Sequence, residues 1–198
     1  MQLNNKDIEG IKLGNIDCIA AYLGTNKVFA KDLGVYTSFS SSILPTVWEK
    51  TSDTTATGTN SYGTWKIRAS STWNETTGVE LAFDNDLTTC AKSSNYRNDY
   101  IVTITCPSGV TICPTRFSIT EYRMGADDDG NTIKGDGVVL VNIGEDFYDI
   151  DEPKTKTYSV AGSQYFSQIQ LTMTSHKNGY IRQLYNFEIT RGTVRVEK

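Results

Sequence analysis

Histidine is almost missing from this sequence: His176 is the only one among 198 residues. A metal centre built from several imidazoles is therefore excluded, and a nucleophilic triad survives only with His176 as its base. No Gly-x-Ser-x-Gly elbow, His-Glu-x-x-His helix or glycine-rich phosphate loop occurs, so the common hydrolase and nucleotide chemistries have no motif to stand on. Paired carboxylates of the glycosidase kind stay open to any two of the 23 acidic residues, and spacing selects none of them. The expectation is a protein that binds and is not an enzyme. Clusters of basic residues are missing as well. With a formal charge of -4 and no lysine or arginine run longer than two, the chain lacks the concentrated positive field that nucleic acid requires. No stretch approaches the roughly 18 apolar residues of a membrane span. Residues 1–7 lack the basic start and apolar run of a signal peptide, which reads as synthesis ending in a cytoplasm and equally as a chain whose leader has been removed. Cys18, Cys90, Cys106 and Cys113 are too few for a disulfide scaffold and form no Cys-x-x-Cys knuckle. Cys106 and Cys113 alone are close enough for a local bridge; free buried thiols are the default.

What is present is β-forming. Tyrosine, at 11 residues, leads the aromatic set. From Trp65 onward short runs rich in Val, Ile, Thr, Tyr and Phe alternate with Gly, Asn, Asp and Pro every eight to twelve residues. Residues 100–105, 115–122, 137–143, 155–160, 167–174 and 185–190 are the predicted strands, and spacing of this kind favours a sandwich of antiparallel sheets. Helical crossovers, which a parallel sheet needs, are missing. Two stretches rich in Ser, Thr and Gly, residues 37–42 and 51–63, read as linker or long surface loop. Ile43 to Trp48 between them is apolar enough to dock, and a domain boundary is placed near residue 42. Ahead of it, Leu13-Gly14, Leu23-Gly24 and Leu33-Gly34 recur at ten-residue intervals. Ten residues hold one short strand and one turn, so residues 8–34 are predicted to be a meander of β-hairpins. So few short strands bury too little to stand alone and call for a partner surface.

The centre of the sequence is Ala82-Phe83-Asp84-Asn85-Asp86-Leu87-Thr88-Thr89, preceded by Ala69-Ser70-Ser71. A strand running into a turn of short carboxylates, amides and hydroxyls can bond its own backbone. It can also gather Asp84, Asp86 and Thr89 around a hard cation. These residues resemble the signature of discoidin or coagulation-factor C-type domains, the galactose-binding-like jelly rolls that include many carbohydrate-binding modules. The resemblance spans roughly Trp48 to Gly192. It implies a structural calcium held by Asp84, Asp86, Thr89 and Glu188, pinning the closing strand to the opening loop. Asn85 stands where the family has glycine, a change the turn survives because asparagine tolerates a left-handed backbone. Ala91 replaces a core tryptophan. Asp127-Asp128-Asp129-Gly130 lacks the glutamate and central glycine of an EF-hand loop and reads as a solvated turn.

The fold class expected is all-β: a galactose-binding-like jelly-roll β-sandwich over residues 43–198, preceded by a β-hairpin anchor and linker over residues 1–42. A sugar site needs an aromatic face and planar hydrogen-bonding groups. Loops at one end of the sandwich supply candidates in Trp73, Tyr96, Arg97, His176, Asn178 and Tyr180. The pattern from Ile11 to Val28 is similar to short repeats at the starts of bacteriophage tail and fibre proteins. That resemblance implies a virion structural protein, assembled in the host cytoplasm. It would dock to other virion proteins through residues 1–36, associate as a homotrimer and show its jelly roll to host surface glycans. The alternative is a non-catalytic carbohydrate-binding module of a bacterial surface or secreted protein.

Overall fold

The computed structural model describes all residues except 1, 4–5, 8–11, 14–15, 18–19, 24–25, 31–33, 96, 123–129, 145, 148–151, 163, 175–180 and 198, with side chains from residue 34 onward. The chain divides into two compact units, residues 1–35 with 197–198, and residues 36–196. Among its described residues the first unit holds three successive antiparallel hairpins. They are β1 (Gln2–Leu3) with β2 (Lys6–Asp7), β3 (Lys12–Leu13) with β4 (Ile16–Asp17), and β5 (Ala20–Leu23) with β6 (Asn26–Ala30). Their closing pairs, Leu3 with Lys6, Leu13 with Ile16 and Leu23 with Asn26, recur every ten residues. The leucine repeat therefore marks hairpin ends, and it starts one hairpin earlier than the Leu-Gly pairs suggest.

The second unit begins within β7 (Val35–Phe39) and continues with β8 (Glu49–Ser52), β9 (Thr55–Asn60), β10 (Gly63–Ala69), β11 (Ala91–Lys92) and β12 (Tyr100–Thr105). There follow β13 (Val110–Tyr122), β14 (Thr132–Gly135), β15 (Val138–Asn142), β16 (Lys154–Ser159), β17 (Gln168–Met173) and β18 (Gln183–Val196). One sheet runs β15-β14-β17-β12-β10-β9-β8; the other runs β11-β18-β13-β16, with β7 also on β18. A single 3-10 turn, Val79–Ala82, is the one helical piece among the described residues.

Alternation decides which faces meet. In β10, Trp65, Ile67 and Ala69 are buried while Thr64, Lys66 and Arg68 are exposed, and β12 buries Tyr100, Val102 and Ile104 in the same rhythm. A period of two puts one face of each strand inward. Opposite them β13 and β18 contribute Phe117, Ile119, Leu184, Phe187 and Ile189, all fully buried. Phe117 stacks on Phe187 at 6.1 Å, Phe187 meets Phe83 at 6.2 Å and Phe83 meets Trp48 at 5.6 Å. Each fully buried ring contributes roughly 1.5–3 kcal/mol by leaving water. The rings run from the β13–β18 sheet through Phe83 to Trp48, which leads into β8 at the edge of the other sheet, and the inward faces of the two sheets meet as a β-sandwich.

Residues 51–63, expected to be linker or loop, form most of β8 and β9 and the turn to β10. Their apolar content is low because the inward positions take only small residues. A Cβ on Gly58 would lie 2.7 Å from the Val47 carbonyl and 2.9 Å from Pro45, so the segment 43–48 lies directly on β9. Asn60 ties the same segment down: its Nδ2 donates to the Ile43 carbonyl at 2.8 Å while its Oδ1 accepts from Trp65 Nε1 at 3.0 Å. Residues 37–39, expected to be linker, belong to β7. β13 and β18 both run well beyond their predicted ends. β14 and β15 are joined by Asp136 (φ 45) and Gly137 (φ 86), both in the left-handed region that tight hairpin turns use. Cys90, Cys106 and Cys113 are free and buried, with no bridge between the last two.

Candidate functional site

Described residues from three segments converge beyond the end of β10: residues 70–77, residues 92–95 with 97–99, and Arg182 just ahead of β18. Ser70 fastens the first to β12, and Ser71 fastens it to the second. Ser70 Oγ accepts from the Ile101 amide at 3.0 Å, and the Ser70 amide donates to the Ile101 carbonyl at 2.8 Å. Ser71 Oγ accepts from the Ser94 amide at 3.1 Å. The Trp73 amide donates to Lys92 O at 3.0 Å and the Lys92 amide donates to Thr77 O at 3.3 Å, so the loop is pinned on both sides of the indole. Asn74 knots it internally, its Oδ1 accepting from Thr76 N, Thr76 Oγ1 and Thr77 Oγ1. The Trp73 side chain nevertheless stays 54% exposed. In the facing loop Asn95 Oδ1 accepts from the amides of Arg97 and Asn98 at 2.9 and 3.0 Å, which shapes the turn that presents an exposed Arg97. The backbone thus brings the Trp73 and Arg97 segments together. Tyr96, His176, Asn178 and Tyr180 lie outside the described residues.

Under these loops lies a polar interior that the motif search missed. Glu121 and Arg182 are both fully buried, Tyr100 is fully buried beside them, and the Tyr100 hydroxyl has no hydrogen-bond partner among the described residues. Burial pushes the Glu121 carboxyl well above the usual carboxylate range, against the pull of the Arg182 charge and the Gln183 amide. Burial likewise lowers Arg182, opposed by the charges of Asp99 and Glu121. The backbone of Arg182 is stitched to Ser93: its amide donates to Ser93 Oγ at 3.2 Å and its carbonyl accepts from the Ser93 amide at 3.1 Å. The signal was available in the alternation of β13, since Glu121 has the same parity as the inward Phe117 and Ile119.

The acidic turn is closed by its own side chains. Asp84 Oδ1 accepts from the Asp86 amide at 2.9 Å and Asp84 Oδ2 from Thr89 Oγ1 at 2.8 Å. Thr89 Oγ1 also lies 3.0 Å from the Asp86 carbonyl, so one hydroxyl proton sits among three converging oxygens. Asp86 Oδ1 accepts from the hydroxyl and amide of Thr88, and these bonds, the hydroxyl's first, hold its carboxyl below the usual range. Asn85 takes the left-handed conformation, φ 61, that the missing glycine would have supplied. Glu188 and Asn85 line one cleft of about 20 Å³, together with Asn186, whose Oδ1 is buried without a hydrogen-bond donor among the described residues. That is room for one water-sized occupant. The cleft's lining mixes Ser42, Thr46, Asn85, Asn186 and Glu188 with the apolar Leu44, Pro45, Phe83 and Phe187. Of the ligands expected for a hard cation it holds Glu188 and not Asp84, Asp86 or Thr89. Among the described residues no three of His, Cys, Asp and Glu are grouped to hold a metal, so carbonyl, hydroxyl and amide oxygens would have to complete the set.

No family model matches the chain. No curated protein matches its sequence either. Solved structures do. A chitosan-binding module in complex with chitotriose, from a chitosanase/glucanase of Paenibacillus sp. IK-5, is 12% identical with a TM-score of 0.49 over 62% of this chain and 92% of that one. A family 32 carbohydrate-binding module from C. perfringens NanJ in complex with galactose is 12% identical, with a TM-score of 0.46 over 65% of this chain and 93% of that one. A putative alpha-L-fucosidase from Bacteroides thetaiotaomicron is 13% identical with a TM-score of 0.46, covering 65% of this chain and 28% of that one. At these values the architecture rests on this chain's own strand pairing.

Proposed function

We propose that the second unit is a non-catalytic carbohydrate-binding module whose loop end grips a surface glycan. One observation carries this reading: the Trp73 indole is displayed to solvent on a loop that backbone and side-chain hydrogen bonds hold on both sides. An indole fixed in this way offers a flat apolar face at little entropic cost, and the apolar side of a pyranose stacks on such a face. Arg97, on the adjoining turn, supplies a planar fork of donors for sugar hydroxyls or an acidic substituent. A glycan array probed with the whole chain tests it. Binding to at least one glycan class is expected, with a loss of about tenfold or more for Trp73→Ala. Thermal stability should stay close to the parent's, because the side chain supports no core. A blank array, or Trp73→Ala binding as the parent does, sinks the reading.

In this proposal the turn at Asp84, Asp86 and Thr89 holds one calcium ion together with Glu188, which lines a cleft with the turn residue Asn85. Its role would be stability, tying β18 to the loop ahead of β11.

A second reading is favoured by the ten-residue recurrence of hairpins in residues 2–30. Two-stranded ladders of this length are marginal in water, so a repeat of them suits docking onto a larger assembly such as a virion, or trimerisation. Many weak sugar contacts displayed together would then gain avidity.

A further inference from the structure

The solvent face of the seven-stranded sheet carries a row that the loop-end reading does not use. Directly opposed residues on five neighbouring strands place Thr55, Arg68, Thr103, Gln170 and Lys134 in one line across β9, β10, β12, β17 and β14. Lys66 stands in the adjacent row, two residues from Arg68 along β10. The two rows hold three bases against Glu49 on the edge strand β8 and Asp136, which lies beside Gln168 and whose carboxylate already accepts from the Ser167 and Gln168 amides, in a chain of net charge -4. None of the three bases makes an ion pair among the described residues. Beside Arg68 and Thr103, Ser70 and Ile101 complete a groove of about 280 Å³.

We infer that this face is a second binding surface, for an acidic polysaccharide laid across the strands. Strands lie about 4.8 Å apart, so Arg68 and Lys134, three intervals from each other, mark out roughly 14 Å of a linear track. Two cations at that separation, with Thr103 and Gln170 between them as hydrogen-bonding groups, match an extended chain bearing a carboxylate or sulfate on successive units. A neutral glycan finds no aromatic ring in either row to stack on. Single-stranded nucleic acid finds no platform for its bases. Charge complementarity therefore selects the polyanion with hydroxyls over both. The bases are solvent-accessible, so the attraction is modest per contact, additive along the chain and weakened by salt. The groove meets the Trp73 loop at Ser70, but the three bases lie on β10 and β14 and their role does not depend on the loop-end reading.

The test is titration of the whole chain with polygalacturonate at low and high salt, beside dextran as the neutral polymer and poly-dT as the nucleic acid. Expected is binding to polygalacturonate that weakens with salt and falls about tenfold or more when Lys66, Arg68 and Lys134 are all changed to Gln. The charge-keeping set Lys66→Arg, Arg68→Lys and Lys134→Arg should retain binding, as should Trp73→Ala. No binding at low salt, equal binding by the all-Gln variant, or loss of binding in the charge-keeping set overturns the inference. So does loss in Trp73→Ala, which would assign the polymer to the loop end, or tighter binding of poly-dT.

Discussion

A carboxyl group that is buried without full hydrogen-bond compensation holds its proton more tightly in the folded protein than in the unfolded chain, and Glu121 is in that position. The sign of the pH dependence follows. Its folded value is raised, so the favourable contribution is complete below the unfolded value of about 4.5 and is lost as pH rises toward the folded value. Glu121→Gln keeps the shape and removes the titration. The variant should gain stability relative to the parent by about 1 kcal/mol or more between pH 5 and pH 8, read from denaturant midpoints at the two pH values. A constant difference between them would show that Glu121 does not titrate in that range. Asp84 belongs to the same scale. It accepts two bonds that close the turn, so Asp84→Ala should cost about 1 kcal/mol even without metal. If the turn also holds calcium, adding a chelator lowers the melting temperature of the parent and leaves Asp84→Ala unmoved. Indifference of the parent to chelator and to added calcium would leave a self-bonded turn. The left-handed Asn85 was legible beforehand because few residue types tolerate that conformation. The burial of Glu121 was legible only in the parity of β13, which means nothing until the other sheet supplies the core.

At the scale of elements, the hairpin of β8, β9 and β10 shows where composition misleads. Residues 51–63 are poor in apolar side chains, and that poverty reads as loop. Here the inward positions of β9 are Ala56 and Gly58 because the segment 43–48 lies against them. Gly58→Ala should therefore cost about 1–3 kcal/mol through overpacking. Gly137→Ala, whose added carbon meets nothing within 4 Å, should cost only the roughly 1 kcal/mol of its left-handed backbone. Urea midpoints of the two variants decide this, and a Gly58→Ala variant no less stable than Gly137→Ala would mean that residues 43–48 do not press on β9. The strands that were legible, such as β12 and β17, alternate apolar and polar residues and carry β-branched side chains on both counts. The lengths of β13 and β18 were not legible. Pro114 and Gly192 face each other in the ladder with a register shift beside them, and each would end a strand if met in isolation.

At the scale of the molecule, the buried hydrophobic cluster among the described residues lies within residues 43–194. Removing residues 1–35 should leave a protein that unfolds cooperatively, with a denaturant midpoint near that of the full chain. A broad transition would mean that the hairpins are needed for the sandwich to fold. The same truncation separates the two functional readings, since glycan binding should survive it while incorporation into a larger assembly should not. The loop end and the row of bases on the seven-stranded sheet likewise separate by variant, Trp73 for one and Arg68 with its neighbours for the other.

The sequence by itself determined the period of the strands, the ten-residue recurrence near the start and the oxygen-rich turn at Asp84. Each of these follows from covalent neighbours and local conformational preference. Only the tertiary structure decided that the polar residues 51–63 are strand, that Glu121 and Arg182 are interior, and that Arg68 and Lys134 share one row although 66 positions separate them. These depend on which strands lie side by side, and sheet pairing joins residues by hydrogen bonds whose register no local pattern encodes.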